Sequence, residues 1–189
     1  MILSLLSILL AYLVGSISST CIVGYLAGRL DMRSERDGRI SASALFQKVG
    51  IFPFCCVLLM DISLSVFAVL IAKTLTDSTN VMMLAGFAAV VGHNWSIFIK
   101  LKGGLGATAI LGALVVFVSW PILYGLLAGG IILLLTHKPG LSTAVGILTI
   151  SGTIMTQNGI GALAMYPLIL FSLMLLKRLQ VARLPRTSL

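Results

Sequence analysis

Long apolar runs separated by short polar connectors dominate the chain, and each run can be measured against the roughly 20 residues that an α-helix needs to cross a bilayer. Residues 1–28 carry no charge and no basic segment precedes them, which predicts a retained spanning helix rather than a cleaved signal peptide. A second run, 51–72, holds one charge, Asp61, near its middle, and a third covers 81–99. The run 107–136 contains Ser119, Trp120 and Pro121, so it suits either one long kinked helix or two short ones. Runs at 141–156 and 160–176 complete the set, and the connector 157–159 suits a turn between antiparallel helices.

Composition fixes the medium in which these helices sit. Hydrophobic residues make up 59% of the 189, charged residues 10%, and the mean hydropathy is +1.13. That is more apolar surface than a soluble domain of this size can hide, so an all-α, polytopic membrane protein is expected. The lysines and arginines decide the ambiguous run, because short cytoplasmic loops carry an excess of them. If 107–136 is two helices, the total is seven, some of them short, with the N-terminus outside and the C-terminus cytoplasmic. Every Lys and Arg except Lys73 then falls on the cytoplasmic side. If it were one helix, Lys138 and the basic residues near the C-terminus would face outward with Lys73. A single domain over residues 1–189, without repeats and without a soluble part, is the expected organisation.

The formal charge of +8 thus reads as topology. The basic residues are scattered between apolar runs with no aromatic-basic patch, which argues against a nucleic-acid partner. Cys21, Cys55 and Cys56 lie in apolar runs with no ligand-like spacing, so reduced, packed thiols are expected and no metal site. The spacings Gly24 to Gly28 and Gly125 to Gly129 permit close helix packing.

One connector carries candidate chemistry. Residues 99–110 read IKLKGGLGATAI, between the third and fourth helices. Gly103, Gly104 and Gly106 allow backbone to approach a ligand and to aim amide N–H groups at it. A helix starting near Ala107 points the positive end of its dipole the same way, and Lys100 and Lys102 add full charges. Such a loop suits a phosphate; it equally suits a flexible glycine turn whose lysines enforce topology, and it lacks the Gly-Lys-Ser/Thr ending of a Walker loop. Asp61 would cost about 2.5–3.5 kcal/mol facing lipid at the helix centre, so it is expected to face the bundle interior. There it would orient a cation, or bond Ser16 or a backbone group. His93, near the cytoplasmic end of its helix, is either a phosphate or orienting ligand beside the glycine loop or an interfacial histidine. Arg33, Arg36 and Arg39 mix with Asp31, Glu35 and Asp37 in a connector suited to topology and local pairing. Trp95, Trp120 and Tyr166 read as interfacial or packing aromatics.

Three segments together resemble a known family. GHNWSIFIKLKGGLGATA, residues 92–109, is similar to the signature Gly-His-x-x-Pro-x-Phe-x-x-Phe-Lys-Gly-Gly-Lys-Gly-x-Ala-Thr of the bacterial acyl-phosphate:glycerol-3-phosphate acyltransferases, the PlsY family. AYLVGSISS, residues 11–19, resembles the first-helix motif, and LLMDIS, residues 58–63, resembles Leu-x-x-Asp-x-x-Lys-Gly on the second helix. The resemblance implies a seven-helix fold and transfer of an acyl group from acyl phosphate to the sn-1 hydroxyl of glycerol 3-phosphate, at a site open to the cytoplasm. It implies no metal and no nucleotide cofactor, and membrane lipids as surroundings. Carried onto matching positions, it implies Ser16, His93 and Lys102 as catalytic groups, and Gly103, Gly104, Gly106, Thr108 and Gly38 at the phosphates. Asp61 and Gly15 would orient the site, Gly92 also matches, and Arg39 is a candidate substitute for a missing cation.

Departures from the pattern weaken the expected enzyme. The family's Ser-Gly-Asn-x-Gly-Ala-Thr-Asn loop and its following Arg read here as DGRISASA, residues 37–44, with Gln47 at the Arg position. Leu105 and Leu64 replace the lysines of the glycine loop and the second helix. HKPGLST, residues 137–143, replaces Arg-Tyr-x-Ser-x-x-Ser, and the family's C-terminal His, Asn and Glu have no clear counterparts. Losing two charge-assisted contacts at about 2–3 kcal/mol each slows a reaction roughly a thousandfold. Three classes stay open: a weak or restricted acyltransferase; a catalytically degenerate member that binds lipid, an anion or an unnamed protein partner as a membrane scaffold; and a transporter built on Asp61. The last has the least support, since one buried acid without a second charged helix gives little to couple.

Overall fold

The computed structural model describes residues 1–28, 30 and 42–183, and within them it is helical, with no strand. In chain order the helices are α1 (Ile2–Gly15), α2 (Ser19–Gly28), α3 (Ala42–Val49), α4 (Ile51–Leu75), α5 (Thr79–Asn94), α6 (Ala107–Val115), α7 (Trp120–Thr136), α8 (Pro139–Asn158) and α9 (Ala162–Ala182). Five segments are long and apolar enough to cross a membrane: Ile2–Gly28, Ile51–Leu75, Thr79–Ile99, Pro139–Asn158 and Ala162–Ala182. The nine residues of α6 rise only about 14 Å, roughly half of a bilayer core.

Two expectations change in detail, and a third, the division of 107–136, holds. The predicted continuous helix over 1–28 is interrupted at Ser16–Ser18, because the Ser18 hydroxyl turns back to accept the Cys21 N–H at 3.4 Å and starts a new helix. The 81–99 run stops being α-helical at Asn94; a 3₁₀ turn, Ile97–Ile99, follows. The 107–136 run is divided, and Pro121 in the first turn of α7 suits a new start, where a missing N–H costs nothing. The short helix α3 is an addition that no apolar run announced; its Leu45 is buried against α4, and Phe46 meets Phe54 edge-on at 5.6 Å.

Small residues bring the site-bearing helices together. Ala11 of α1, Ala68 and Ala72 of α4, and Ala85, Ala88 and Ala89 of α5 form one buried cluster. Across this seam backbones touch: a methyl on Gly15 would strike the backbone of Ala89, and one on Gly92 would strike Tyr12 and Ser16. Helices that meet through Gly and Ala approach closely, as membrane helices require in the absence of a solvent-driven force. Likewise Gly112 of α6 lies against Ile62 and Ser65 of α4. The larger core, built on Ile110, Leu114, Ile150, Ile154 and Leu170, ties α6 and α8 to α9. As the glycine spacing predicted, Gly125 and Gly129 pack on α8 around Gly146, and Ser142 donates to the Gly129 carbonyl at 2.7 Å. Gly28 instead faces the Val49 side chain of α3. Outward faces carry leucines such as Leu127, Leu134 and Leu135, the surface suited to lipid.

Candidate active site

Two irregular segments meet where α1 gives way to α2 and where α5 ends. The Ser96 hydroxyl donates to the Ser16 carbonyl, and the Tyr12 hydroxyl donates to the Trp95 carbonyl at 3.0 Å. Non-helical backbone inside apolar segments is tolerated where it is buried in protein or lines a polar cavity, and both conditions are met here. Between the two segments lies a narrow cleft with a free volume of about 10 Å³, lined by Gly15 through Thr20 on one side and by His93, Ser96, Ile99, Gly103 and Gly104 on the other.

Ser16 is fully buried, and its hydroxyl is without a hydrogen-bond partner. Buried polar groups are nearly always paired, so an unpaired hydroxyl at a cleft wall marks a place for a ligand or water. Opposite it, the His93 imidazole lies against Gly104: a methyl there would meet Nε2 at an unfavourable 2.5 Å. Gly103 packs on the carbonyls of His93 and Asn94, so only a glycine fits, and the Gly104 N–H donates to the His93 carbonyl at 3.1 Å. The glycine loop is thereby folded onto the end of α5.

Asp61 forms the second layer. It is buried, at 4% exposure, and faces the bundle interior as its cost in lipid predicted. Its partners differ from those expected: the Ser19 hydroxyl donates to Oδ1, and the Thr108 hydroxyl donates to Oδ2 at 2.8 Å. Ser16 is not among them. The packing of Gly112 on α4 explains the second bond, since Thr108 lies one turn earlier on α6. His93 Nδ1 stands 3.7 Å from Asp61 Oδ1, too long for a hydrogen bond but within reach of a charge contact. Asp61, His93 and the cleft therefore form a line from buried carboxylate to open imidazole nitrogen.

The remaining predicted residues divide. Gly106 caps α6 with φ of 85°, a left-handed conformation that favours glycine, but it lies outside the cleft lining. Thr108 spends its hydroxyl on Asp61. Lys102 is exposed and does not line the cleft. Gly38 and Arg39 lie outside the described residues. Leu105 packs against the α5–α6–α9 core, so the residue at the lysine position anchors the loop by its apolar side chain. Leu64 sits with Met60, Phe67 and Leu70 in an open apolar groove on α4, apart from the cleft.

Several participants were missed. Ser19 and Ser96 read as ordinary small residues in an apolar run, and only tertiary pairing reveals them. Asn94 is fully buried beneath Gly106 with neither amide atom paired; a polar side chain next to His93 at a helix end was the available signal. Lys177, from the last helix, is buried and donates to the Leu101 carbonyl at 3.1 Å.

Comparison with known proteins identifies the family. Residues 5–185 match the family described as glycerol-3-phosphate acyltransferase. The glycerol-3-phosphate acyltransferase of Shouchella clausii is 38% identical over 126 residues, covering 65% of this chain and 62% of that protein. Glycerol-3-phosphate acyltransferase 2 of Moorella thermoacetica is 40% identical over 111 residues, 58% of this chain and 56% of its own length. A third relative, the enzyme of that name from Thermoanaerobacter pseudethanolicus, is 34% identical over 77% of this chain and 73% of its own. The chain thus spans about three fifths of the first two relatives. The crystal structure of PlsY (YgiH), an integral membrane glycerol 3-phosphate acyltransferase in its glycerol 3-phosphate form, shares the fold with a TM-score of 0.82 at 23% identity, covering 96% of this chain and 91% of that one. A second structure, in the lysophosphatidic acid form, gives 0.81 at 22% identity, with the same coverage. This multi-pass membrane chain belongs to the glycerol-3-phosphate acyltransferase family.

Proposed function

We propose that the protein is a membrane acyltransferase that moves an acyl group from acyl phosphate to the sn-1 hydroxyl of glycerol 3-phosphate, supplying lysophosphatidic acid for phospholipid synthesis. The observation that carries this reading is the buried, unpartnered Ser16 hydroxyl at a cleft shared with His93, Gly103 and Gly104, in a chain of this family. Ser16 and the loop amides that are not already bonded within the protein, as that of Gly104 is, donate to phosphate oxygens. Lys102, exposed and without a partner among the described residues, swings its ammonium onto the substrate. In the reaction the glycerol hydroxyl oxygen attacks the acyl carbon, the bond from that carbon to the phosphate oxygen breaks, and His93 takes the hydroxyl proton. Asp61 stabilises the resulting imidazolium across 3.7 Å. No step calls on a metal or a nucleotide. Gly106 and Asn94 shape the loop and Gly15 sets the helix approach; Gly38 and Arg39 are assigned to phosphate binding from the motif resemblance alone.

The same reading takes residues 1–189 as one domain with seven helices in the plasma membrane, N-terminus outside and the cleft facing the cytoplasm. A second reading is favoured by Lys102 standing off the cleft and by Leu105 being committed to the core: a degenerate member that binds an anion or lipid headgroup without turnover. Acyl transfer from palmitoyl phosphate to labelled glycerol 3-phosphate by the purified protein separates the two. Slow but measurable turnover is expected, falling by about 100-fold in His93→Ala. Absence of turnover with retained calorimetric binding of glycerol 3-phosphate would replace the enzyme by the binding protein.

A further inference from the structure

Among the described residues two charged side chains are buried, Asp61 and Lys177. Asp61 has hydroxyl donors, but Lys177, 2% exposed on α9, faces no carboxylate among those residues. Its ammonium donates to the Leu101 carbonyl at 3.1 Å and lies 5.3 Å above the centre of the Trp95 ring. One turn further along the same face, Gln180 accepts the Trp95 indole N–H at 2.8 Å. Burying an ammonium against a neutral carbonyl and a ring is costly, and a methionine there would pack at lower cost, so stability alone does not account for this lysine.

What the lysine touches is unusual backbone. Lys100 and Leu101 have φ of 54° and 63°, consecutive left-handed residues that are not glycine, a conformation that persists only when neighbours enforce it. The Leu101 peptide is held from both sides: its N–H donates to the Ser96 carbonyl at 2.8 Å, and its carbonyl receives Lys177. This turn leads directly into Gly103 and Gly104, which line the cleft.

We propose that Lys177, with Trp95 and Gln180, is a positioning clamp: α9 holds the Lys100–Leu101 turn in its left-handed form, and thereby sets where Gly103 and Gly104 meet the substrate phosphate. The inference deepens the acyltransferase reading and rests on it for its kinetic part. Its geometric part stands without turnover.

The test uses full-length protein with Trp120→Phe, so that Trp95 is the remaining tryptophan, comparing Lys177→Met, Lys177→Arg and Gln180→Leu. Lys177→Met is expected to shift Trp95 emission, to speed hydrogen exchange across residues 100–104, and to raise KM for glycerol 3-phosphate by about tenfold with a smaller change in kcat. Lys177→Arg should recover most of the KM and the emission. Unchanged emission, exchange and KM in Lys177→Met would overturn the clamp, as would failure of Arg to rescue any of them. Should Lys177→Met not fold, Gln180→Leu carries the same readouts. If the parent protein shows no acyl transfer, the functional reading fails; faster exchange and altered emission then still support the clamp, and their absence removes it.

Discussion

Four hydroxyls in and behind the cleft divide three duties. Ser19 and Thr108 hold the Asp61 carboxylate, Ser96 holds the Ser16 carbonyl, and the Ser16 hydroxyl holds nothing. Removing a donor from a buried carboxylate costs about 1.5–3 kcal/mol, whereas removing an unpaired hydroxyl costs almost no stability. Thermal denaturation in detergent should therefore find Ser19→Ala and Thr108→Ala clearly destabilised and Ser16→Ala close to wild type. Calorimetry with glycerol 3-phosphate should show the reverse order for Ser16→Ala, a loss of about tenfold or more in affinity. Equal destabilisation by Ser16→Ala and Ser19→Ala would mean that Ser16 has a partner within the protein. The inward direction of Asp61 was legible in the sequence, because a lone charge at a helix centre has only one affordable place. Its partners were not, since Ser19 and Thr108 lie 42 and 47 residues away in the chain. Leu105 shows the opposite limit. Read against the motif it is a missing cation, yet in the fold it is an apolar anchor. Leu105→Lys is expected to lower stability by about 1–3 kcal/mol through forcing a polar group toward the core, without raising acyl transfer. A rise in turnover would show that the missing charge outweighs the packing.

At the scale of elements, run length and apolarity delimited most helices, whereas the interruptions that build the site were hidden. The break at Ser16–Ser18 lies in an uninterrupted uncharged run, where the Ser18 hydroxyl accepts locally from Cys21 and the Ser16 carbonyl accepts from the distant Ser96 hydroxyl, a partner that only the fold supplies. Glycines show the same division between pattern and context. Gly106 caps α6 with φ of 85° and Gly103 packs on two carbonyls, while Gly152, in the middle of α8, has open space around it. Alanine at Gly152 should stabilise the protein by about 0.5–1 kcal/mol, because it relieves only the helix penalty of glycine. Alanine at Gly106 should cost about 1–2 kcal/mol, and at Gly103 it should also weaken phosphate binding, since the loop must move off the end of α5. Urea or thermal unfolding series of the three variants, with phosphate titration alongside, check the order. A destabilising Gly152→Ala would reveal an unseen partner on that face.

At the scale of the whole molecule, the question is whether the 107–136 segment crosses the membrane out and back, and the contacts around it bear directly on the answer. Before it, the Leu101 carbonyl receives Lys177 near the end of α9; after it, Gly140 at the start of α8 packs on the Arg178 guanidinium, the next residue of the same helix. Both ends of the segment therefore gather around one end of α9, which a single straight crossing of roughly 30 Å would not allow. In the proposed seven-helix topology the short α6 is a shallow outward leg and α7, with 17 residues, is the return. The same geometry draws Lys100, Lys102, Lys138, Lys177 and Arg178 to one end, the asymmetry that favours a cytoplasmic face. With Cys21, Cys55 and Cys56 replaced, single cysteines at Lys102→Cys and Lys138→Cys should react with an impermeant thiol reagent only when the cytoplasmic side is open, and Asp77→Cys should react in intact cells. Labelling of positions 102 and 138 from opposite sides would make 107–136 a single crossing. Labelling of 102 from outside would separate the cleft from a soluble cytoplasmic substrate and remove the acyltransferase reading with it.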